Sequence, residues 1–216
     1  MTANSAAQAA PALCETSGLK LYSGYLSSTT QAELVDIVRK LMNEAPLYRP
    51  AMPGSGTPFS VQMTNCGSLG WVSDKTGYRY QAQHPQTGRA WPPIAEEILK
   101  VWRAVANYPH APQACLVNYY VAGAKMGLHV DADEADKAAP VVSISLGDSA
   151  LFRIGGAKRG DKTRSFKLGS GDVVVLGGAS RHFFHGIDRV YTGSSRLLPE
   201  GGRLNLTLRC ASAPPN

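Results

Sequence analysis

The sequence predicts an α+β fold, mainly β, in which a double-stranded β-helix (jelly roll) is buttressed by two helices from the N-terminal half. Three observations predict it. The length of 216 residues, with 44% hydrophobic and 18% charged residues, suits one compact globular domain. Two stretches before residue 109 have helical apolar spacing, and after it come eight short β-rich runs. No repeat of fixed period is visible.

The first helix is predicted from Thr29 to Ala45, where Leu34, Ile37, Val38 and Leu41 recur at helical spacing. Thr30 and Glu33 have the spacing of a capping box at its start. The second helix is predicted from Pro92 to about Tyr108, with prolines at its start and one apolar face. Both helices are expected to pack against a sheet.

The region between the helices, residues 46–91, is rich in Pro, Gly, Ser and Thr but also carries large side chains. These are Phe59, Met63, Trp71, Tyr78 and Tyr80. Such side chains are unusual in a simple linker, so we predict a binding lid here.

Residues 109–210 are predicted to form the jelly-roll core of a single domain spanning residues 19–216, preceded by a mobile lead-in over residues 1–18. The eight runs are CLVNYYV, KMGLHVD, VVSISLG, LFRIGG, RSFKL, DVVVLGG, HFFHGI and RLNLTLR. A jelly roll is the economical way to close eight short strands around a small cavity.

The charge balance favours anionic partners, since 22 Lys and Arg oppose 16 Asp and Glu. Many basic proteins nevertheless bind no nucleic acid, so charge alone does not decide the partner. No apolar run approaches the roughly 18 residues of a membrane span, and the N-terminus does not resemble a secretory signal. We therefore expect a soluble, cytoplasmic protein.

The four cysteines argue against a zinc ribbon or a thioredoxin-type redox site, because they form no C-x-x-C pair. They are Cys14, Cys66, Cys115 and Cys210. Buried or idle thiols are the preferred interpretation.

The strongest chemical motif is His129-Val130-Asp131, because an i, i+2 spacing on a strand points two ligating side chains the same way. One more histidine would complete a two-His, one-carboxylate set, which leaves half of an octahedral iron site open. Such H-x-D pairs also occur by chance in chains that bind no metal.

Four histidines are candidates for the third ligand: His84, His110, His182 and His185. The first two lie beside prolines in turn-like contexts, which makes them poor candidates. The other two are three residues apart and would face opposite sides of a strand, so only one is expected to be a ligand. The residues alone leave open which of the two it is.

The run from Arg203 to Arg209 alternates strictly, which places four polar residues on one face and three leucines on the other. Two arginines facing a barrel interior would need anionic partners, and a small dicarboxylate fits their bidentate geometry. The alternative is an edge strand whose polar face meets water.

The acidic cluster could instead suggest a calcium site; it consists of Asp131, Asp133, Glu134 and Asp136. The EF-hand pattern fails, because Asp136 stands where glycine is needed and Val142 where the bidentate glutamate is needed.

The sequence resembles the AlkB family of Fe(II)- and 2-oxoglutarate-dependent dioxygenases, and most of all the bacterial alkylation-repair enzymes. The likeness runs from about Leu19 to Arg209 and rests on an ordered set of motifs. They are Met63-Thr64-Asn65-Cys66-Gly67, Gly70-Trp71, Val117-Asn118 with Tyr120, Gly123-Ala124-Lys125, His129-Val130-Asp131, His185-Gly186-Ile187, and Arg203, Asn205, Thr207 and Arg209 at alternate positions.

The resemblance implies that His129, Asp131 and His185 hold Fe(II) and form the catalytic centre, with His185 preferred over His182 because Gly186 follows it. It also implies a 2-oxoglutarate site. Arg209 would steady the carboxylate near iron. The distal carboxylate would be bound by Arg203, Asn118 and Tyr120, with Asn205 in support.

The resemblance further implies a site for a base flipped out of the stack. Trp71 would stack on that base, and Asp133 would contact its exocyclic amine. The remaining implied substrate contacts are Met63, Tyr78, Tyr80, Lys125 and Arg159. The alternatives are a core role for Trp71, lid packing for the tyrosines, and a solvated hairpin tip for the basic run Lys158–Lys162.

The implied activity is oxidative dealkylation repair of 1-methyladenine and 3-methylcytosine in DNA, with a preference for single strands. It consumes O2 and 2-oxoglutarate and releases succinate, CO2 and formaldehyde. Double-stranded DNA and RNA are further expected partners, and we expect a monomer with no membrane partner. The alternatives are a dioxygenase acting on tRNA or on a protein side chain, and a non-catalytic jelly-roll module that binds metal or nucleic acid.

Overall fold

The chain forms thirteen strands and two α-helices over residues 11–213, the part that this computed structural model describes. The helices are α1 (Ser28–Glu44) and α2 (Glu96–Val105). The strands are β1 (Leu13–Cys14), β2 (Leu19–Tyr22), β3 (Gln62–Gly67), β4 (Gly70–Asp74), β5 (Gly77–Gln81), β6 (Ala114–Tyr120), β7 (Met126–His129), β8 (Val141–Gly147), β9 (Ser149–Ile154), β10 (Arg164–Leu168), β11 (Val173–Leu176), β12 (His185–Tyr191) and β13 (Arg203–Arg209).

Two antiparallel sheets build the predicted jelly roll, and a hairpin adds to them. The larger sheet has seven strands in the order β1-β2-β11-β8-β13-β6-β3. The smaller sheet has four strands in the order β10-β9-β12-β7, and β4 pairs with β5 in a separate hairpin. The predicted fold class is confirmed, because all eight β-rich runs contribute strands to these two sheets.

The larger sheet is covered on both faces, and the alternation of its strands decides what each face contacts. In β13, Leu204, Leu206 and Leu208 pack in one apolar cluster with residues of both helices. The alternate, polar positions of the strand therefore face the smaller sheet. Apolar residues of both sheets, Leu116, Phe152 and Ile187 among them, form the second cluster on that side.

Strand β13 lies in the middle of the larger sheet, between β6 and β8. All seven of its residues are buried. The edge-strand interpretation of this run is therefore wrong, and its two arginines lie inside the protein.

Both helices differ from their predicted bounds at the ends. The cap of α1 is Ser27, whose Oγ accepts a hydrogen bond from the Thr30 amide at 3.1 Å, so the predicted Thr30 and Glu33 capping box is wrong. Helix α2 begins only at Glu96, because its N-cap Ala95 is extended, with φ −64° and ψ 147°. Pro92 also precedes a proline, which disfavours helical geometry at Pro92 itself. It ends before Asn107, whose left-handed φ of 48° stops a helix.

The predicted run HFFHGI is only partly a strand. A 3-10 helix, Gly178–His182, occupies its start, and β12 begins at His185. The amide of Phe183 donates to the carbonyl of Ser180, which closes this turn. The two histidines therefore do not share one strand, and the side chain of His182 is exposed.

The region predicted as a lid, residues 46–91, divides into two parts. Strand β3 pairs with β6 at the edge of the larger sheet, whereas β4 and β5 form the separate hairpin. Most of the predicted lead-in, residues 1–10, lies outside the described residues, while Leu13–Cys14 pairs with β2. Neither helix within residues 11–213 is long and apolar enough to cross a membrane.

Candidate active site

A cavity of about 660 Å³ opens between the two sheets and is bordered by the β4–β5 hairpin. Among its lining residues are all the predicted site residues except Tyr80. They are Met63, Trp71, Tyr78, Asn118, Tyr120, Lys125, His129, Asp131, Asp133, Arg159, His185, Arg203, Asn205 and Arg209. The alternation and strand order that form the jelly roll thus bring together residues up to 146 positions apart in sequence.

The structure groups His129, Asp131 and His185 so that one ligand atom from each lies within 4.8 Å of the others. His129 ends β7 and faces His185, the first residue of β12, across the antiparallel ladder. The two strands approach so closely that a Cβ on Gly186 would lie 2.5 Å from the carbonyl oxygen of Met126. This close approach explains why glycine follows the histidine.

Backbone carbonyls fix the tautomer of both histidines. His129 Nδ1 lies 2.9 Å from the carbonyl oxygen of Gly127, and His185 Nδ1 lies 3.0 Å from that of Phe183. A carbonyl only accepts, so Nδ1 is the donor in each ring, and in the neutral imidazole Nε2 is the nitrogen that offers a lone pair. The Nε2 atoms lie 3.7 Å and 3.8 Å from the carboxylate oxygens of Asp131.

The charge state of these groups suits a divalent metal ion. Burial lowers the pKa of His185 to about 4, so its imidazole is neutral at pH 7. Burial would raise the pKa of Asp131, but the neighbouring cationic groups, Arg209 foremost, together outweigh burial and hold the pKa below its usual range. Arg209 donates to Asp131 Oδ1 at 2.8 Å, whereas Oδ2 is buried without a hydrogen-bond donor. Two imidazoles and this oxygen fit a metal ion of the iron type.

Arg203 is a buried cation that forms no ion pair with the described residues. Its Nη2 donates to Ser145 Oγ at 3.0 Å, and its guanidinium lies 5.3 Å from the centroid of the Tyr120 ring. Its Nε and Nη1 atoms are buried without a hydrogen-bond partner, and no carboxylate in residues 11–213 forms an ion pair with it. Burial lowers its pKa. A guanidinium left in this state is costly, so the site fits an anionic ligand.

Two asparagines extend the polar surface beside Arg203. Asn205 Nδ2 donates to Ser143 Oγ at 2.7 Å and to the carbonyl of Ile144 at 3.0 Å. Its Oδ1 lies 3.4 Å from Asn118 Nδ2, while Asn118 Oδ1 is buried and unpaired. Asn205 therefore accepts a hydrogen bond from Asn118, while Asn118 Oδ1 remains available to a ligand in the cavity.

The hairpin side of the cavity presents an aromatic surface built on Trp71. Its ring stacks with that of Tyr78 at a centroid distance of 5.5 Å, and its Nε1 donates to Asp133 Oδ2 at 2.7 Å. Asn65 holds the backbone of Trp71 through two hydrogen bonds of 3.0 Å, from the Trp71 amide and to its carbonyl. The predicted base-binding residues Trp71 and Asp133 thus touch each other directly.

The basic residues predicted to contact nucleic acid, Lys125 and Arg159, lie at the rim of the cavity, unlike the buried Arg203 and Arg209. Arg159 Nη1 donates to the carbonyl of Leu128 at 3.2 Å, and its guanidinium lies 4.9 Å from the centroid of Phe184. Lys125 is exposed, and its amide bonds to Ser60 Oγ. Lys158 and Lys162 are exposed outside the cavity lining.

Tyr80 differs from its predicted placement, because its hydroxyl donates to Glu134 Oε1 at 2.6 Å and its side chain does not line the cavity. Glu134 in turn forms a buried ion pair with Arg181 at 2.8 Å. Sequence reasoning assigned no role to Arg181. The only available signal was an arginine placed between the apolar run of β11 and HFFHG.

The acidic cluster does not form a calcium site. Asp133 bonds Trp71, Glu134 bonds Arg181, and Asp136 accepts a hydrogen bond from the hydroxyl of Tyr108 at 2.6 Å. His84 is also structural: its Nε2 lies 2.8 Å from the carbonyl oxygen of Pro46.

A jelly roll whose cavity combines a two-His, one-carboxylate triad with an unpaired buried arginine defines an iron- and 2-oxoglutarate-dependent oxygenase. The sequence profile of the 2OG-Fe(II) oxygenase superfamily matches residues 18–209. The chain is 52% identical over 196 residues to an alpha-ketoglutarate-dependent dioxygenase AlkB homolog of Caulobacter vibrioides, covering 90% of this chain and 88% of the relative. It is 42% identical over 183 residues to AlkB of Escherichia coli K12, covering 83% and 84%.

The solved structure of OsALKBH1 is similar as well, with a TM-score of 0.77, 32% identity, and coverage of 90% of this chain and 97% of that chain. The chain belongs to the AlkB family of 2-oxoglutarate-dependent dioxygenases. The predicted enzyme class and the predicted use of Fe(II), 2-oxoglutarate and O2 are thereby confirmed.

Proposed function

We propose that the protein repairs N-alkylated bases, 1-methyladenine and 3-methylcytosine, in DNA and prefers single strands. The observation that carries the proposal is the position of Trp71 and Asp133 on the wall of the cavity that also holds the metal triad. The indole offers a stacking surface, and the carboxylate favours a base that methylation has made cationic. This combination suits a nucleobase better than a protein side chain.

Single strands are favoured because the reacting base must enter a cavity that a stacked and paired base does not reach. Unpairing costs a few kcal/mol in a duplex, and less in a single strand. The exposed ring of Tyr78 at the entrance and the basic side chains of Lys125 and Arg159 at the rim offer contacts to flanking bases and phosphates.

We propose that the 2-oxoglutarate site lies along the polar face of β13. Arg203, with Asn118 and Tyr120 beside it, takes the distal carboxylate, because its unpaired donors need an anion. Arg209 steadies the carboxylate near the metal ion, since it already bonds Asp131. Asn205 supports Asn118.

When bound, iron couples the oxidative decarboxylation of 2-oxoglutarate to oxidation of the N-methyl group, which is released as formaldehyde. The chain contributes position and exclusion of water. The carbonyls of Gly127 and Phe183 hold the ligand imidazoles, Arg209 holds Asp131 ionised, and the apolar side chains of Phe152 and Ile187 line the cavity near His185.

RNA is the second candidate substrate, because one relative is a tRNA demethylase. A second relative acts on a different methylated base in DNA. A tRNA demethylase of Schizosaccharomyces pombe is 28% identical over 147 residues, covering 66% of this chain and 49% of the relative. A DNA N(6)-methyladenine demethylase of Arabidopsis thaliana is 33% identical over 222 residues, covering 89% and 48%. The chain spans about half of each.

The deciding experiment is mass spectrometry of methylated oligonucleotides incubated with the protein, Fe(II), ascorbate and 2-oxoglutarate. We expect single-stranded DNA that carries 1-methyladenine or 3-methylcytosine to lose one methyl mass faster than the duplex or the matching RNA. Faster loss from RNA would favour the second candidate, and loss from none of them would contradict both.

Replacing Trp71 by alanine should weaken binding of a methylated single-stranded oligonucleotide, because stacking contributes about 1–3 kcal/mol per base. This corresponds to roughly 5- to 150-fold in Kd. Fluorescence anisotropy with Mn(II)-loaded protein measures it, and Trp71→Phe should retain most of the affinity. Equal affinity of the alanine variant and wild type would exclude the stacking role.

Affinity for undamaged single-stranded DNA should fall as salt rises, because phosphate contacts release counterions. Lys125→Ala and Arg159→Ala should each reduce the slope of log K against log salt by about 0.7, the value per contact in single strands. Lys100→Ala, on the outer helix α2, serves as a control. A salt-independent affinity would remove phosphate binding from the proposal.

A monomer in the cytoplasm, with no membrane partner, remains our prediction. All the site residues that we assign come from one chain and line one cavity, so catalysis needs no second subunit.

A further inference from the structure

A buried charged cluster lies behind the metal triad, with Glu134 at its centre. The Glu134 side chain is 1% exposed and contacts three groups from different parts of the fold. Its Oε2 lies 2.8 Å from Arg181 Nη2; its Oε1 accepts from the Tyr80 hydroxyl at 2.6 Å and lies 3.6 Å from Arg209 Nε. The side chain of Tyr80 belongs to β5, next to Trp71 in the hairpin register.

Arg181 fixes Glu134 and the chain segment that carries it. Its Nη1 donates to the carbonyl of Asp131 at 2.6 Å, and its Nε donates to the carbonyl of Ala139 at 3.1 Å. One side chain thus ties both ends of the segment 131–139. The segment carries the ligand Asp131, so the backbone of this ligand is held from behind the metal site.

Arg209 is shared between two carboxylates, Asp131 through Nη2 and Glu134 through Nε. The contact with Asp131 is a hydrogen bond of 2.8 Å, whereas Nε has no hydrogen-bond partner and meets Glu134 by charge attraction across 3.6 Å. The two carboxylates lie at different nitrogens of one planar guanidinium and so act together on its orientation. Burial raises the pKa of Tyr80 well above its ordinary value, so the hydroxyl keeps its proton and donates to Glu134. Tyr80 therefore acts on the orientation of Glu134, and Glu134 on that of Arg209.

We propose that Tyr80 and Glu134 are positioning residues for the co-substrate: they orient Arg209 toward 2-oxoglutarate, although Tyr80 lies on the hairpin that binds the base. The proposal rests on the assignment of Arg209 to 2-oxoglutarate. It assigns the two tyrosines on one face of the hairpin to opposite tasks, Tyr78 to the nucleic acid and Tyr80 to the co-substrate.

The test is calorimetric titration of 2-oxoglutarate into Mn(II)-loaded protein, in which binding is measured without turnover. Tyr80→Phe removes one hydroxyl, and we expect it to weaken 2-oxoglutarate binding about tenfold, as loss of a hydrogen bond to a charged group does. Its affinity for a methylated oligonucleotide should stay within about twofold of wild type. In turnover assays the KM for 2-oxoglutarate should rise more than kcat falls.

Tyr78→Phe is the matched control, because Tyr78 lies on the same face of the same hairpin but lines the cavity. It should leave 2-oxoglutarate affinity unchanged. Unchanged 2-oxoglutarate affinity in Tyr80→Phe, or a loss of oligonucleotide affinity instead, would overturn the proposal.

Glu134 is tested by the conservative variant Glu134→Gln, which keeps Arg181 and its hydrogen bonds to the carbonyls of Asp131 and Ala139. Circular dichroism establishes that it is folded, and weaker 2-oxoglutarate binding is expected. Arg209→Met distinguishes the assignment of Arg209 to 2-oxoglutarate from the positioning role of Tyr80 and Glu134. If it binds 2-oxoglutarate as wild type does, the assignment of Arg209 fails; if it binds weakly while Tyr80→Phe does not, only the positioning role fails.

Discussion

The variant His129→Ala is expected to show no detectable turnover and to lose Mn(II) affinity by about 10- to 100-fold or more, since even replacing a residue that only hydrogen-bonds to a metal ligand has an effect of that size. The imidazole supplies one of three ligand atoms that lie within 4.8 Å of one another. Its side chain is 38% exposed, so the fold should survive the change. Formaldehyde release and Mn(II) titration measure the two effects.

The control is His182→Ala, because His182 lies three residues before a ligand but is exposed and outside the triad. We expect this variant to keep wild-type metal affinity and turnover. Full activity in His129→Ala would show that the triad is not the catalytic centre.

Arg203→Met should weaken 2-oxoglutarate binding by about 2–5 kcal/mol, the cost of truncating one partner of a buried charge pair. This is on the order of 30- to several thousand-fold in Kd. Without ligand the variant should be as stable as wild type or more stable, because methionine removes a buried charge that forms no ion pair with a carboxylate of residues 11–213. Thermal melting should then show a 2-oxoglutarate-dependent rise in Tm for wild type and little or none for the variant.

Arg189→Met, which replaces an exposed arginine on β12, is the control and should melt like wild type with and without ligand. A variant of Arg203 that is much less stable than wild type in the absence of ligand would indicate that Arg203 has an internal partner. That result would contradict the anion-binding role.

The sequence predicted the jelly roll because its strands carry the information locally. Alternation in 203–209 and short apolar runs bounded by glycines specify strands and faces. Whether β13 is an edge or a central strand depends on its pairing with β6 and β8, which are distant in the chain. The sequence therefore did not decide whether Arg203 and Arg209 face the interior or water. The order of the strands in the sheet shows that both are buried.

The choice of the third metal ligand is a second point that the residues alone could not predict. Residues alone could not choose between His182 and His185, because the 3-10 helix Gly178–His182 depends on contacts with a distant segment, such as the Ser180 amide bonded to the carbonyl of Ser17. The resemblance to a known family selected His185, and the close approach of Gly186 to β7 gives the physical reason for that choice.

The buried cluster of Tyr80, Glu134 and Arg181 could not be predicted from sequence. Its members come from the hairpin, the metal-binding segment and the 3-10 helix, and no spacing rule relates them. In the sequence Glu134 appeared only as one member of the acidic cluster 131–136, and Tyr80 was assigned to the substrate together with Tyr78. Only the tertiary structure separates the two tyrosines, one lining the cavity and one behind it.

The most direct measurement of the central claim compares two ligands on Mn(II)-loaded protein by calorimetry: 2-oxoglutarate, and 2-oxopentanoate, in which a methyl group replaces the distal carboxylate. Wild type should bind 2-oxoglutarate far more tightly, and Arg203→Met should bind the two with nearly equal affinity. Equal preference for 2-oxoglutarate in wild type and variant would show that the unpaired arginine does not recognise the co-substrate, and would contradict the account.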